Sequence, residues 1–290
     1  MHIRPMLPTD ITAVTDIGDA AFIDDEYFLF IHPHSHKYPI SWRDHVYSRI
    51  RRRLHEPGLH CFVCVLDSRD TTLLASGNCA VGEVAGYGIW ERLGPTTSPT
   101  AVAWRANNRT FCAWVERTLF AVQDKYEDLF RIHRSIDRAN LARLMTSADG
   151  CDVFDKYLAE HWHMRVLAVH PRFQRQGVGQ HLVTWGLDRA RHEGVTATID
   201  ASENGSRLYR KLGFRSVGWL DLAVEQAWPG GQIMVYDPTG EHIRLAIGDE
   251  RNFKVAGTTR EVDAVWKKLD EKEALEKKEG DVDHVGDKGP

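Results

Sequence analysis

The residues best able to do chemistry stand around one turn, Gln174-Arg175-Gln176-Gly177-Val178-Gly179. Two glycines at the start of a helix leave a row of backbone N–H groups uncovered by any Cβ, with the positive end of the helix dipole behind them. That combination binds an anion, and a phosphate above all. Arg172, Arg175 and His181 add positive charge around the mouth. The spacing is neither G-x-x-x-x-G-K-[ST] nor G-x-G-x-x-G, which excludes the two best-known nucleotide loops.

The flanking elements are those such a turn needs. Val166 to Val169 is a short apolar run that His170-Pro171 ends, because proline has no N–H to continue a ladder. From Val178 the apolar residues Leu182, Val183, Trp185, Gly186 and Leu187 recur at helical spacing, and His192-Glu193-Gly194 supplies a stop. The unit reads as strand, glycine turn and helix.

Gln174-x-x-Gly177-x-Gly179 resembles the [RQ]-x-x-G-x-[GA] pyrophosphate loop of the GCN5-related N-acetyltransferase (GNAT) superfamily. Leu167-Ala168-Val169-His170-Pro171 resembles that family's fourth strand, and Leu208-Tyr209-Arg210-Lys211-Leu212-Gly213-Phe214 its late helix and turn. The opening Ile3-Arg4-Pro5 with a helix started near Asp10 is similar to the way these domains begin. Gly86-Tyr87-x-x-Trp90 looks like the third strand of fungal members. The resemblance spans most of residues 1–240.

The chain has 290 residues, a net charge of -4 and a hydrophobic content of 42%, enough for one large domain or two small ones and without a broad nucleic-acid footprint. No run is long and apolar enough for a membrane span, and Met1 to Pro5 has no apolar signal region, so a cytoplasmic setting is expected. Cys61-x-x-Cys64 sits in an apolar strand whose alternation turns the two thiols to opposite faces or nearly so; they read as structural. His32, His34 and His36 lie close together without a nearby carboxylate pair, so no metal is expected.

In chain order, a first strand covers His2 to Met6 and a helix carries Ile11, Val14, Ile17 and Ala21. Trp42 to Leu54 reads as a helix whose Arg49, Arg51, Arg52 and Arg53 form a solvated face. Strands follow at Leu59–Leu66 and Val81–Trp90. Residues 95–150 carry a helical pattern from Ala101 to about Met145, with Trp104, Phe111, Trp114, Phe120, Tyr126 and Phe130. Against the family this is a helical insertion between the third and fourth strands, expected to cap the acceptor pocket with its aromatics. Closing strands are expected at 215–224 and 232–236, with Pro229-Gly230-Gly231 as the turn. Trp266 to Lys278 is a charged helical run, and the last residues are polar and low in apolar content. The expected fold is α/β with a mixed sheet: a GNAT acyl-CoA N-acyltransferase domain over 1–240, its acetyl-CoA-binding core at 160–220, and a charged extension over 241–290.

The resemblance implies the site. Acetyl-CoA would be held by the loop amides of Arg175, Gln176, Gly177, Val178, Gly179 and Gln180, with Gln174 beside them. The backbone of Leu167, Ala168 and Val169 would line its pantetheine arm, and Ser202 would stand where many members carry an asparagine. Tyr209 matches the family tyrosine that protonates the leaving thiolate. For the general base the candidates are Glu160, His161, His163 and Asp200. His163 ranks first, because an imidazole has a suitable pKa and strand alternation can aim it at the cleft. Asp24, Asp25, Glu26, Tyr27 and Phe28 could touch the acceptor. The acceptor is expected to be a small amine, with the choice between an apolar and a cationic one open. Protein N-terminal or lysine acetylation, and a CoA-binding protein without activity, remain alternatives. The resemblance also allows a homodimer, and no membrane partner is expected.

Overall fold

The structure is a computed structural model that describes residues 1–75, 79–130, 132–149, 158–219 and 232–239. Its chain order begins with β1 (His2–Pro5), α1 (Ile11–Phe22), α2 (Glu26–Ile31), α3 (Pro39–Leu54), β2 (Leu59–Val65), the short α4 (Thr71–Leu74) and β3 (Val84–Leu93). Next come α5 (Pro99–Trp104), α6 (Phe111–Phe130), α7 (Arg138–Asp149), β4 (His161–Val169), α8 (Val178–Glu193), β5 (Thr196–Ala201), α9 (Glu203–Lys211), β6 (Arg215–Trp219) and β7 (Gln232–Tyr236).

The strands form one mixed seven-stranded sheet in the order β1-β2-β3-β4-β5-β7-β6. Only the β4–β5 pair is parallel among those described, and α8 makes the crossover that a parallel pair requires. Side chains alternate across the sheet. Val63, Tyr87, Ile89 and Ala168 turn to one face, where Ile11, Val14 and Ile17 of α1 and Trp42, Val46 and Ile50 of α3 cover them. Trp90, Trp162, Met164 and Ile199 turn to the other face, beneath Val183, Leu187 and Ala190 of α8. Cys61 and Cys64 fall into cores on opposite faces, as the alternation requires.

One contact seats α8. The indole of Trp90 is fully buried, and its Nε1 donates to the Leu182 carbonyl (3.1 Å). A Cβ on Gly186 would stand 2.3 Å from that ring. Glycine therefore lets the helix lie flat on the tryptophan. At the sheet's other end, Arg92 is 1% exposed and donates to Glu160 (2.5 Å) and Glu193 (2.7 Å), while Trp104 and Trp162 both donate to Glu193 (3.0 and 3.2 Å). This network ties β3, α5, the approach to β4 and the end of α8 together; with Arg92 nearly inaccessible, both of its carboxylate partners are needed.

Several boundaries differ from the sequence reading. The third strand begins at Val84, not Val81, because Gly82 turns in the left-handed region (φ 90°). The helical stretch after it breaks into α5, α6 and α7. The first break comes near Asn108, itself left-handed (φ 54°), whose side-chain amide donates to the Leu54 and Glu56 carbonyls. The expected cap is not what α6 forms. Phe120 packs inward beside Arg51, whereas Phe111, Trp114, Leu119, Val122, Tyr126 and Phe130 face solvent. The arginines of α3 attract α6 from the side away from the sheet: Arg51 pairs with Glu116 (2.7 Å) and Arg52 with Asp124. The remainder of the sixth strand beyond Trp219, the 229–231 turn and everything from residue 240 onward lie outside the described residues.

Gly186→Ala tests the seating of α8. Alanine is the better helix former by about 1 kcal/mol, but here overpacking against a buried tryptophan costs about 1–3 kcal/mol. The expected result is a lower urea midpoint than wild type; a midpoint raised by the propensity gain would show that the contact does not govern.

Candidate active site

The sheet opens beside β4. Its pairing with β5 runs from His161↔Thr196 to Met164↔Ile199 and stops. Its pairing with β3 continues to Val169↔Gly86. Between Ile89↔Val166 and Trp90↔Met164 the register shifts, so Arg165 is an extra residue on β4. A bulge bends its strand and increases local twist. From Arg165 onward, among the described residues, no strand pairs with β4 on its β5 side. Asp200 and Ala201 of β5 keep their partners on the far edge, Ile233 and Gln232 of β7, but have none on the β4 side. The result is a wedge, with Leu167, Ala168 and Val169 on one wall and Asp200 and Ala201 on the other.

The glycine turn lies at the mouth of this wedge. His170 caps a short 3-10 turn, its Nδ1 accepting the Arg172 N–H (3.2 Å). Arg175 (φ 62°) and Gly177 (φ 85°) both adopt the left-handed region, which reverses the chain twice within three residues. The helix then starts, its first bond running from the His181 N–H to the Gly177 carbonyl (3.0 Å). Gly177 supplies no side-chain cap, so the amides at the start of α8 have no acceptor within the helix. The turn is braced by its own side chains: Gln174 Nε2 donates to the Val169 carbonyl (3.3 Å) and Gln176 Nε2 to the Arg172 carbonyl (3.1 Å). Arg172 is held by Glu83 and stacks on Phe173, while Arg175 and Gln180 are exposed. Gly86 is required across the way, since a Cβ there would meet the Ala168 carbonyl and Val178 at 2.8 Å each.

The remaining sequence-derived candidates separate clearly. Tyr209 is 5% exposed on α9, edge-on to Phe214 (5.7 Å between ring centroids), and burial raises its phenol well above the ordinary value. Ser202 is the N-cap of α9, its Oγ accepting the Gly205 N–H (3.2 Å). His163 does not project into the open part of the wedge. It is buried where β4 and β5 are still paired, with Nδ1 2.8 Å from Thr198 Oγ1. Burial, with Arg165 and His161 adding, holds its imidazole well below the usual range. His161 is buried with Nδ1 2.9 Å from the Leu158 carbonyl. Glu160 accepts from Ser98 (2.8 Å) and Arg92 (2.5 Å); burial raises its pKa, but those bonds outweigh it and leave the group below its ordinary value. Asp200 behaves differently. Its side chain is open to solvent, yet it lies deep enough among protein atoms that desolvation pushes its carboxyl up to about 6, against the opposing pull of Arg165.

Tyr27 feels the charges of Arg49, Asp200, Arg53 and Asp25. Of the acidic cluster read from the sequence, Asp25 is consumed as the cap of α2, accepting the Tyr27 and Phe28 N–H groups (3.1 and 3.4 Å), and Asp24 is an exposed partner of His36 (2.9 Å). The sequence reading put Arg49 and Arg53 on a solvated face, whereas both are partly buried. The signal was present, because both fall on the helical stripe that carries Trp42, Val46 and Ile50. Among the described residues no group of three or more His, Cys, Asp or Glu side chains could hold a metal ion, and no helix is long and apolar enough to cross a membrane.

Residues 145–214, which contain the wedge wall, the glycine turn and Tyr209, match the Acetyltransferase (GNAT) family. No protein of curated function matches the chain. Among solved structures, the chain is similar to a histone acetyltransferase HPA2 and related acetyltransferase from Corynebacterium glutamicum (18% identity, 82% of this chain and 96% of that one, TM-score 0.46). It is also similar to arylalkylamine N-acetyltransferase 2 from Aedes aegypti (16% identity, 82% and 98%, TM-score 0.44). A third is a polyamine N-acetyltransferase from Drosophila melanogaster (14% identity, 81% and 97%, TM-score 0.40).

Proposed function

We propose that the protein is an N-acetyltransferase that moves an acetyl group from acetyl-CoA directly to the amine of a small molecule, with residues 1–240 as the catalytic domain and 241–290 as an extension. The observation that carries this reading is the glycine turn, with its uncapped helix amides, at the mouth of a wedge between β4 and β5. The amides from Arg175 to Gln180 hold the donor's pyrophosphate, and Gln174 and Gln176 keep the turn in shape. The free edge of β4 at Leu167, Ala168 and Val169 pairs with the pantetheine arm, and Ser202 lies at its far side.

The chemistry assigns one task to each group. The acceptor nitrogen attacks the thioester carbonyl, a C–N bond forms, and the C–S bond breaks. The proton lost by the amine goes to Asp200, and the departing thiolate takes one from Tyr209. Asp200 replaces His163 as the base in this reading, because a carboxyl near 6 is ionised at neutral pH and still basic enough to accept a proton. A buried imidazole already engaged with Thr198 is a weaker base. Tyr209, its phenol raised by burial, carries its proton at neutral pH and is the acid.

Three measurements test these assignments. Gly177→Glu places a carboxylate and a strained backbone where the pyrophosphate would sit. Calorimetric titration is expected to show micromolar acetyl-CoA binding in the wild type and none in the variant, with an unchanged circular dichroism spectrum; equal affinities would remove the loop from donor binding. Tyr209→Phe is expected to lower kcat by about 10²–10⁴-fold, the usual worth of a general acid, while CoA affinity is kept. Unchanged turnover would take Tyr209 out of the mechanism.

The third is a pH profile. The base must be ionised, so kcat/KM is expected to fall tenfold per unit as pH drops below about 6, the position to which burial raises Asp200. Asp200→Asn is expected to abolish that limb along with most activity. A limb that persists in the variant would assign it to another group.

A further inference from the structure

The helix α3 carries five arginines, and their partners divide them by face. Arg43 pairs with Asp16 (2.5 Å), Arg51 with Glu116 (2.7 Å) and Arg52 with Asp124. These three lie away from the sheet. Arg49 and Arg53 are one turn apart, on the stripe with Trp42, Val46 and Ile50 that packs over Tyr87 and Ile89. Neither guanidinium has a carboxylate or hydrogen-bond partner among the described residues. Both are partly buried, and Arg53 feels the side chains of Tyr87, Cys61 and Tyr27. Burial, with Arg49's charge adding, brings Arg53 down to about 10, so it is still a cation at neutral pH.

A desolvated guanidinium, with a second cation one turn away and no counter-charge among the described residues, is costly unless something anionic joins it. Nearby acids do not serve. Asp25 is spent on the α2 amides and Asp24 on His36. Tyr27 feels the charges of both arginines and of Asp200.

We propose that Arg49 and Arg53 form an anion subsite of the acceptor pocket, and that the acceptor is a small amine also bearing an anionic group, a carboxylate or a phosphate. The anion sits against the two guanidiniums, whose fork geometry suits either oxyanion. The amine end then extends past Tyr27 toward Asp200. This assignment rests on the acetyltransferase reading for the amine's fate, but not for the anion's binding. It also sets the choice left open by Asp24, Asp25 and Glu26: recognition is by cations of the protein, and a purely cationic amine is disfavoured.

The test uses matched probes that differ by the anion alone: tryptophan against tryptamine, and O-phosphoethanolamine against ethanolamine. Direct binding to the full chain is measured by calorimetry without acetyl-CoA, so a failure of the acetyltransferase reading leaves this readout intact. The expected result is at least tenfold tighter binding of the anionic member in one pair, which tells carboxylate from phosphate. In Arg53→Gln that affinity falls to the level of the anion-free partner, and Arg53→Lys restores part of it. Arg49→Gln, at a less enclosed position, provides the same comparison should Arg53→Gln not fold. With acetyl-CoA present, the loss is expected in KM more than in kcat. Equal affinities within both pairs, absence of binding by all four probes, or a preference unchanged in the variants would overturn the proposal.

Discussion

The structure depends on one interruption in hydrogen bonding. β4 is shared between β3 and β5 as far as Met164, and from Arg165 it belongs to β3 alone. An extra residue on one strand of an antiparallel pair bends it, and β5 at that height keeps only its β7 partner on the far edge. Backbone groups on the free side of β4 must then find partners other than a strand. The site follows from that requirement: the wedge, the turn at its mouth and the carboxylate on its wall are all arranged around an edge inside a sheet. Packing keeps the wedge from closing. Trp90 under Gly186 seats α8 on one face, and α1 and α3 cover the other.

The two faces do different work. The α8 face presents amides and a glycine turn suited to a phosphate, with Tyr209 close to its core. The opposite face presents charged side chains in a partly dry environment: Asp200, Arg165, Tyr27, Arg49 and Arg53. In the proposed reaction the donor enters from the first and the acceptor from the second, so they meet where β4 and β5 part. The same α3 that lines the acceptor side anchors α6 on its back through Arg51 and Arg52. Most aromatics of α6 are turned to solvent.

Local patterns are legible in the chain because they depend on neighbours a few residues away. The alternation that separates Cys61 from Cys64, the proline that ends β4, and the glycines that open α8 all acted where they were read. The readings that changed required knowing what lies across the sheet. His163 looked well placed because alternation gives a face, but alternation does not say that Thr198 stands 2.8 Å away on a strand still paired at that height. The arginines of α3 looked alike, and only packing divided them.

The sequence by itself determined the strand-turn-helix unit and the family match of residues 145–214, since both rest on short-range backbone constraints: left-handed angles at a glycine, a missing N–H at a proline, one apolar face per helix. Tertiary structure decided which carboxylate is desolvated and which cations lack a counter-ion among the described residues. Those properties are set by burial and by partners many residues distant, and no local pattern encodes them.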